Sequence, residues 1–90
     1  MDFSWDERKA ASNLKKHGVS FAEAATVFAD PLALAIDDAL EPARTLLLGM
    51  SHRQRLLLVV HVEVDESTIR IISARRATSH ERRRYEEEGH

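Results

Sequence analysis

Polar side chains suited to phosphate and proton-transfer chemistry lie near the start of the chain. Steps of three, four and three residues place them on one stripe of a helix, formed by Asp6, Lys9, Asn13 and Lys16. The pattern predicts nucleic-acid contacts from Lys9, Asn13 and Lys16, and a solvated helix face is the alternative for the lysines. His17 follows at the last turn, where it suits either a proton donor and phosphate ligand or a simple helix cap.

A second group of cationic side chains lies near the end of the chain. Between Arg70 and Arg84 there are six arginines and one acid, Glu81. Arg75 follows a β-branched run, and its planar guanidinium can bind a phosphate with two hydrogen bonds. An ion pair with an acid of the final helix is the alternative for Arg75. Arg76 alternates to the other face, where we expect contact with RNA backbone or solvent.

Four more side chains are candidates. Arg55 shares strand parity with His61, so both are predicted on the face of Leu57 and Val59. Arg55 is a catalytic candidate, and His61 is either an RNA-contacting or proton-transfer group or a satisfied strand histidine. Trp5 either stacks on a base or belongs to the core. Tyr85 either anchors the final helix or lines the cleft.

Glu81 has a structural and a chemical interpretation. It stands three residues after Thr78, the spacing of a capping box at a helix start. The alternative is a catalytic role, or the positioning of Arg75. Tyr85 lies one turn further on the same helix face.

For an RNA substrate, these side chains fit cleavage without a metal ion. In that reaction the 2′-hydroxyl attacks its own phosphate, which requires a base, an acid and cations for the extra negative charge. The carboxylates are scattered, and no histidine pair stands at helical spacing beside an acid. We therefore predict no metal site and no cofactor.

Local signals predict an α+β fold with two N-terminal helices, a four-stranded antiparallel sheet and a C-terminal helix. Asp6 caps a helix that runs to Lys16 or His17, and Gly18 ends it. A capping box from Ser20 to Glu23 opens the second helix. The predicted strands are Leu32–Ile36, Arg44–Leu48, Leu56–Val64 and Thr68–Ser73. Phe3 to Trp5 form either a short strand or a packed lead-in, and the last helix runs from Thr78 to about Glu88.

Composition limits the classes of protein that fit. Ninety residues with 43% apolar side chains predict a single domain over 1–90. The chain has no cysteine and no signal-peptide pattern, so we expect a cytoplasmic protein without membrane contact. The net charge of −2 hides an uneven distribution of charge along the chain, because residues 21–43 contain five acidic residues and no basic one. The cationic end can still attract phosphate, although a solvated charge pattern is the alternative.

The motifs in their order resemble one known family, the BrnT toxins of bacterial type II toxin–antitoxin systems. The resemblance rests on the segment from Trp5 to Phe21 and then on three later blocks, Asp30–Ala33, Ile69–Ala77 and Glu81-Arg82-x-x-Tyr85. Arg75 matches the arginine of the family's Ile-Ser-Ala-Arg block, and Glu81 matches the family's glutamate. At the turn before the long strand the family usually has Gly-Arg, whereas this chain has Gln54-Arg55 and lacks the glycine's freedom to adopt positive φ.

The resemblance implies a RelE-like fold and an endoribonuclease that inhibits growth. It also implies neutralisation by a BrnA-like ribbon–helix–helix antitoxin, with DNA bound only through the toxin–antitoxin complex. A non-catalytic module that binds nucleic acid or protein, such as an inactive toxin homologue, is the alternative that composition and Gln54 leave open.

Overall fold

A computed structural model describes residues 1–88. In chain order the elements are β1 (Asp2–Ser4), α1 (Glu7–His17), α2 (Phe21–Thr26), a 3-10 turn (Val27–Ala29), β2 (Leu34–Asp37), β3 (Thr45–Met50), β4 (Leu56–Glu63), β5 (Thr68–Arg76) and α3 (Ser79–Glu88). Within residues 1–88, no helix has the length and apolar character needed to cross a membrane.

The α+β class is confirmed, but the four-stranded antiparallel sheet is wrong. The described residues form one five-stranded sheet in the order β1-β5-β4-β3-β2. β1 is the fifth strand and runs parallel to β5, with Phe3 opposite Ile69, while the other pairings are antiparallel. Three residues are too few to show an alternating pattern, and the partner strand lies at the other end of the sequence.

The predicted ends of α1 are confirmed. The Asp6 carboxylate accepts hydrogen bonds from the backbone N–H groups of Arg8 at 2.8 Å and Lys9 at 3.2 Å. Gly18 adopts φ 70° and donates its N–H to the Leu14 carbonyl at 2.9 Å. The second helix, α2, ends at Thr26, and the chain continues as the 3-10 turn.

The sheet has two apolar faces. Helices α1 and α2 cover the first, whose buried cluster is Val19, Phe21, Ala24, Val27, Leu57, Val59, Ile71 and Ala74. The second face carries Leu48, Leu56 and Leu58, against which Ala77 and Tyr85 pack. Alternation along β4 explains this division, since neighbouring residues of a strand point to opposite faces.

A β-bulge in β5 changes which face its last residues reach. Val60 pairs with Ser73 but His61 pairs with Ile71, so Ile72 is an extra residue without an opposite partner. Simple alternation from Ile71 would point Arg75 toward α1 and α2. The bulge reverses this order and turns Arg75 toward α3.

His61 is part of the first apolar face. Its ring is 5% exposed and meets the Phe28 ring edge-on, with centroids 4.8 Å apart. Burial lowers the pKa of His61, which favours the neutral ring. The structure therefore places His61 in the core rather than on a surface where RNA could bind.

The turn before β4 contains a backbone conformation that favours glycine. Gln54 has φ 60°, which makes it the one non-glycine residue of the described chain with positive φ. Gln54 thus adopts a conformation that glycine takes more readily, at the cost of local strain.

We expect Gln54→Gly to raise the free energy of unfolding by about 0.5–1 kcal/mol, because glycine removes the clash of a Cβ at positive φ. Urea unfolding measures the change. Arg53→Gly in the same turn is the control and should lower stability slightly, since Arg53 has negative φ. Equal effects of the two glycines would contradict the assignment of strain to Gln54.

Candidate active site

Cationic side chains meet at the end of the sheet where β4 begins and β5 ends. Leu57 pairs with Arg76, and the Ala77 N–H donates to the Leu56 carbonyl at 2.9 Å. Arg55, which precedes this pairing, therefore lies at the same sheet end as Arg75 and Arg76. The two neighbours Arg75 and Arg76 alternate between the sheet faces.

Arg75 is held by Glu81 through two parallel hydrogen bonds. Nη1 donates to Oε1 at 2.8 Å and Nη2 donates to Oε2 at 2.9 Å. A third N–H of Arg75 donates to the Arg76 carbonyl at 3.1 Å. The Arg75 side chain remains 39% exposed. A guanidinium has five N–H groups, so these bonds leave two for a ligand.

Glu81 both caps α3 and binds Arg75. The Thr78 N–H donates to its Oε1 at 2.9 Å and the Glu81 N–H donates to Thr78 Oγ1 at 3.2 Å, so the capping box is present. The hydrogen bonds from Arg75, opposed by burial, lower the pKa of Glu81 to about 2. Glu81 is therefore an anion that orients Arg75.

Tyr85 anchors α3 to the 3-10 turn. Its hydroxyl donates to Asp30 Oδ2 at 2.7 Å, and the Met50 N–H donates to the same oxygen at 2.8 Å. Burial and the Asp30 carboxylate raise the pKa of Tyr85 to about 12, so the phenol keeps its proton at neutral pH. Burial of Asp30 opposes ionisation, but the hydrogen bonds it accepts lower its pKa below the usual range.

On the other sheet face, Arg55 binds a buried carboxylate. Its Nε donates to Glu23 Oε2 at 2.9 Å, its Nη2 donates to Glu23 Oε1, and Nη2 also donates to the Gly18 carbonyl at 3.0 Å. Ser51 Oγ donates to Glu23 Oε2 at 2.7 Å. Arg55, predicted to act on the substrate, thus joins the β3–β4 turn to both helices.

Glu23 is the key residue of this network, and sequence reasoning assigned it only a capping role. Ser20 Oγ does accept the Glu23 N–H at 3.0 Å, which confirms the N-cap. The Glu23 carboxylate, however, points to Arg55 and is 3% exposed. Hydrogen bonds from Arg55, opposed by burial, lower the pKa of Glu23 to about 2. No local signal reveals this pair, because its members are far apart in sequence.

Asn13 connects α1 to β5. Its Nδ2 donates to the carbonyls of Val19 at 2.9 Å and Ala74 at 2.8 Å, and its Oδ1 accepts the Ala74 N–H at 3.1 Å. The side chain is 7% exposed. Both N–H groups of its amide are bound by backbone carbonyls, and Ala74 adjoins Arg75, so Asn13 has a positioning role here, whereas the sequence predicted RNA contact.

The remaining candidates are spread along α1 and the sheet end. Lys9, Lys16 and Arg76 are exposed. His17 is half-buried and adjoins Gly18, whose carbonyl binds Arg55, so it lies at the cationic end. Trp5 lies at the opposite end of α1.

Trp5 belongs largely to the first apolar face. Its ring meets that of Phe21 at 78°, with centroids 6.0 Å apart, and its indole N–H donates to Glu7 Oε1 at 3.0 Å. The half-buried position agrees with the core alternative.

No group of three or more His, Asp or Glu side chains in residues 1–88 is placed to hold a metal ion. The charged groups at the sheet end are arginines and their carboxylate partners.

The chain is thus a small α+β protein with a mixed sheet and a cluster of arginines at one end of that sheet. A family model described as "Ribonuclease toxin, BrnT, of type II toxin-antitoxin system" matches residues 5–81. The chain belongs to this family, which confirms the resemblance seen in the sequence. Among curated proteins, none matches the chain significantly.

A solved structure agrees with this assignment. The chain is similar to the Brucella abortus ribonuclease toxin BrnT, known from a 1.1 Å crystal structure, with 25% identity and a TM-score of 0.72. The match covers 88% of this chain and 99% of the Brucella chain. Members of this family are therefore ribonuclease toxins, which act on RNA and have an antitoxin partner.

Replacement of Asn13 tests its positioning role. Asn13→Ala should lower the free energy of unfolding by about 3 kcal/mol, because three buried backbone groups lose their partner. Lys9→Ala, on an exposed position of the same helix, is the matched control and should stay within about 0.5 kcal/mol. Chemical unfolding gives both values, and a small loss with Asn13→Ala would contradict the role.

The Glu23 carboxylate makes stability depend on acid pH. Its folded pKa of about 2 lies below the ordinary value of 4.5, so its contribution is present above pH 4.5 and is lost as pH falls from there toward 2. The shift corresponds to about 3 kcal/mol. Glu23→Gln should therefore destabilise the protein strongly at pH 7 and much less near pH 2.5, as measured by urea unfolding.

The pKa of Glu81 is also lowered to about 2, so Glu81 loses its charge over the same pH range. The loss of wild-type stability in acid therefore contains contributions from both carboxylates, and Glu23→Gln removes only one of them. Glu66→Gln, in the exposed β4–β5 turn, is the control and should leave stability at pH 7 within about 0.5 kcal/mol of wild type. Equal destabilisation by Glu23→Gln at pH 7 and pH 2.5 would show that the carboxylate's charge is not the stabilising feature.

Proposed function

We propose that this chain is an endoribonuclease toxin that cleaves RNA without a metal ion and thereby inhibits translation and growth. The observation that carries the proposal is the Arg75 guanidinium, which is oriented by Glu81 and still 39% exposed. Membership of the BrnT family supports the choice of RNA as substrate. Residues 1–90 form one toxin domain in this proposal.

The reaction follows from the chemistry of RNA. The 2′-hydroxyl attacks the adjacent phosphorus, the bond to the 5′-oxygen breaks, and a 2′,3′-cyclic phosphate remains. Negative charge grows on the phosphate oxygens in the transition state, where a planar cation with two free N–H groups stabilises it. Glu81 contributes by holding that cation in one orientation, and it stays ionised at neutral pH because its pKa is about 2.

The other cationic groups bind the backbone of the RNA. Lys16 and Arg76 are exposed on the helix-covered side of the same sheet end, with His17 beside them. We assign these groups, with Lys9 further along α1, to phosphate contacts that are weakened by salt. We assign Arg55 a structural role, because three of its five N–H groups bind Glu23 and the Gly18 carbonyl and its side chain is only 20% exposed.

The antitoxin is proposed to be a BrnA-like ribbon–helix–helix protein, with DNA bound only through it. Helix α3 has no buried residue and is held chiefly by Glu81 and Tyr85. Its N-terminal part, with Arg82, Arg83 and Arg84, therefore offers cationic side chains to a partner segment rich in acidic and apolar residues. We assign the pair to the cytoplasm, where its RNA substrate is found.

A second candidate function is a non-catalytic binding module. The pairing of both Arg55 and Arg75 with carboxylates favours it, because a paired guanidinium has less charge to offer a phosphate. RNA binding without product formation would distinguish this module from an enzyme.

The test is incubation of purified protein with single-stranded RNA in EDTA. We expect products that end in 2′,3′-cyclic phosphate or 3′-phosphate, and addition of the cognate antitoxin should stop their formation. Cleavage that requires a divalent ion, or products with a 3′-hydroxyl, would contradict the proposal.

Arg75→Ala should lower kcat/KM by about a hundredfold, the scale of losing one group that stabilises transition-state charge. Arg75→Lys should restore little, because an ammonium lacks the two-pronged geometry. Since the Arg75–Glu81 pair is partly exposed, stability should fall by only about 1 kcal/mol. Arg83→Ala on α3 is the control for charge and should weaken binding in a salt-dependent way. Full rescue by lysine would show that Arg75 supplies charge alone.

A further inference from the structure

A groove at the same sheet end contains a histidine that no role above uses. It has a volume of about 500 Å³ and is lined by Thr26, Ala29, Asp30, Met50, Ser51 and His52. This volume is in the range of small-ligand sites and is sufficient for a nucleotide. His52 is exposed and lies in the β3–β4 turn that the Glu23 network fixes.

Hydrogen bonds to Thr26 determine which ring nitrogen of His52 carries the proton. Thr26 Oγ1 lies 2.6 Å from the Glu23 carbonyl oxygen. Two oxygens approach this closely only with a proton between them, and a carbonyl has none, so the single hydroxyl proton of Thr26 points to Glu23. Oγ1 is then left with acceptor positions only.

His52 fills both of these acceptor positions. Its backbone N–H donates to Thr26 Oγ1 at 2.9 Å, and its Nδ1 lies 3.2 Å from the same oxygen. Because Oγ1 has no proton to give, Nδ1 must be the donor and carry the hydrogen. In the neutral ring, Nε2 then keeps a free lone pair.

The groove adjoins the Arg75 site. Asp30 lines the groove, and its Oδ2 accepts the hydrogen bond of Tyr85. Tyr85 is one helical turn from Glu81, which orients Arg75, and one turn of helix spans about 5.4 Å, close to the length of one nucleotide. An RNA strand held by Arg75 therefore reaches the groove within a short stretch of its backbone.

We propose that His52 is the general base of RNA cleavage, with Nε2 as the accepting atom and Thr26 as the residue that fixes the tautomer. This assignment rests on the ribonuclease function proposed above. The 2′-hydroxyl gives its proton to Nε2 while its oxygen bonds to phosphorus, and the P–O5′ bond breaks. The 5′-oxygen takes a proton from water, and the imidazolium returns its proton to the resulting hydroxide, so protons and charge balance.

Two features of the groove fit this role. The Asp30 carboxylate is bound by three donors, the N–H groups of Leu32 and Met50 and the hydroxyl of Tyr85, which reduces its repulsion of phosphate. Arg53 adjoins His52 in the turn; its Nη1 lies 3.8 Å from Glu23 Oε1, and its side chain is 64% exposed. It therefore supplies an exposed cation next to His52 in the sequence.

The decisive variant is His52→Asn. The asparagine amide can donate to Thr26 Oγ1 in place of Nδ1–H, but it has no counterpart of Nε2. We expect cleavage of a short fluorescent single-stranded RNA in EDTA to fall by about 10²- to 10⁴-fold, with unchanged melting temperature and unchanged binding of the same RNA with 2′-deoxy sugars. His80→Asn, an exposed histidine on α3, is the matched control and should cleave like wild type.

Two measurements separate a catalytic from a structural role. Added imidazole should restore part of the activity to His52→Gly and none to Arg75→Ala. In a long-range ¹H–¹⁵N spectrum of the neutral ring, His52 should show the Nδ1–H tautomer, and Thr26→Val should abolish that preference and slow cleavage.

Wild-type activity together with an unaffected His52→Asn variant would overturn the role of His52 alone. An Nε2–H tautomer in the wild-type protein would overturn it as well. Absence of cleavage by the wild-type protein would overturn the ribonuclease function and this assignment with it.

Discussion

The structure depends on one buried charge, the carboxylate of Glu23, which must be neutralised where it lies. An unpaired carboxylate in a protein interior is so unfavourable that its partners become fixed in turn. Arg55 and Ser51 satisfy it, and Arg55 also binds the Gly18 carbonyl at the end of α1. A single carboxylate thus sets the relative positions of both N-terminal helices and the β3–β4 turn, and with them the sheet end that carries the candidate site.

The two arginines that bind carboxylates, Arg55 and Arg75, differ in how accessible the guanidinium remains to a ligand. Arg55 is 20% exposed, bound to a buried acid and to a backbone carbonyl, and is a structural cation. Each guanidinium keeps two N–H groups after three hydrogen bonds, but the Arg75 side chain is 39% exposed, so its two are accessible to a ligand. The carboxylate partner therefore immobilises the guanidinium in one case and aims it in the other, and burial decides between these outcomes.

Sequence patterns predicted the structure correctly where the interacting residues are close together in the chain. The N-cap at Asp6, the left-handed Gly18 and the capping box of Thr78 and Glu81 each involve residues within a few positions of one another, and all three are present. Family membership was also visible, because it rests on several short blocks in a fixed order. At Gln54 the sequence lacked the glycine of the family pattern, yet the turn adopts positive φ, since the surrounding network fixes the backbone more strongly than one side chain can resist.

The sequence by itself determined the α+β class, the helix ends, the family and the wealth of arginine near the chain end. Only the tertiary structure decided that β1 joins the sheet in parallel, that Asn13 bonds to the backbone of Ala74, and that the bulge at Ile72 turns Arg75 toward Glu81. Each of these features pairs groups that are distant in sequence or shifts a strand register by one residue. No local pattern encodes such pairings, because they are selected by which distant partner can satisfy a buried polar group or fill an apolar face.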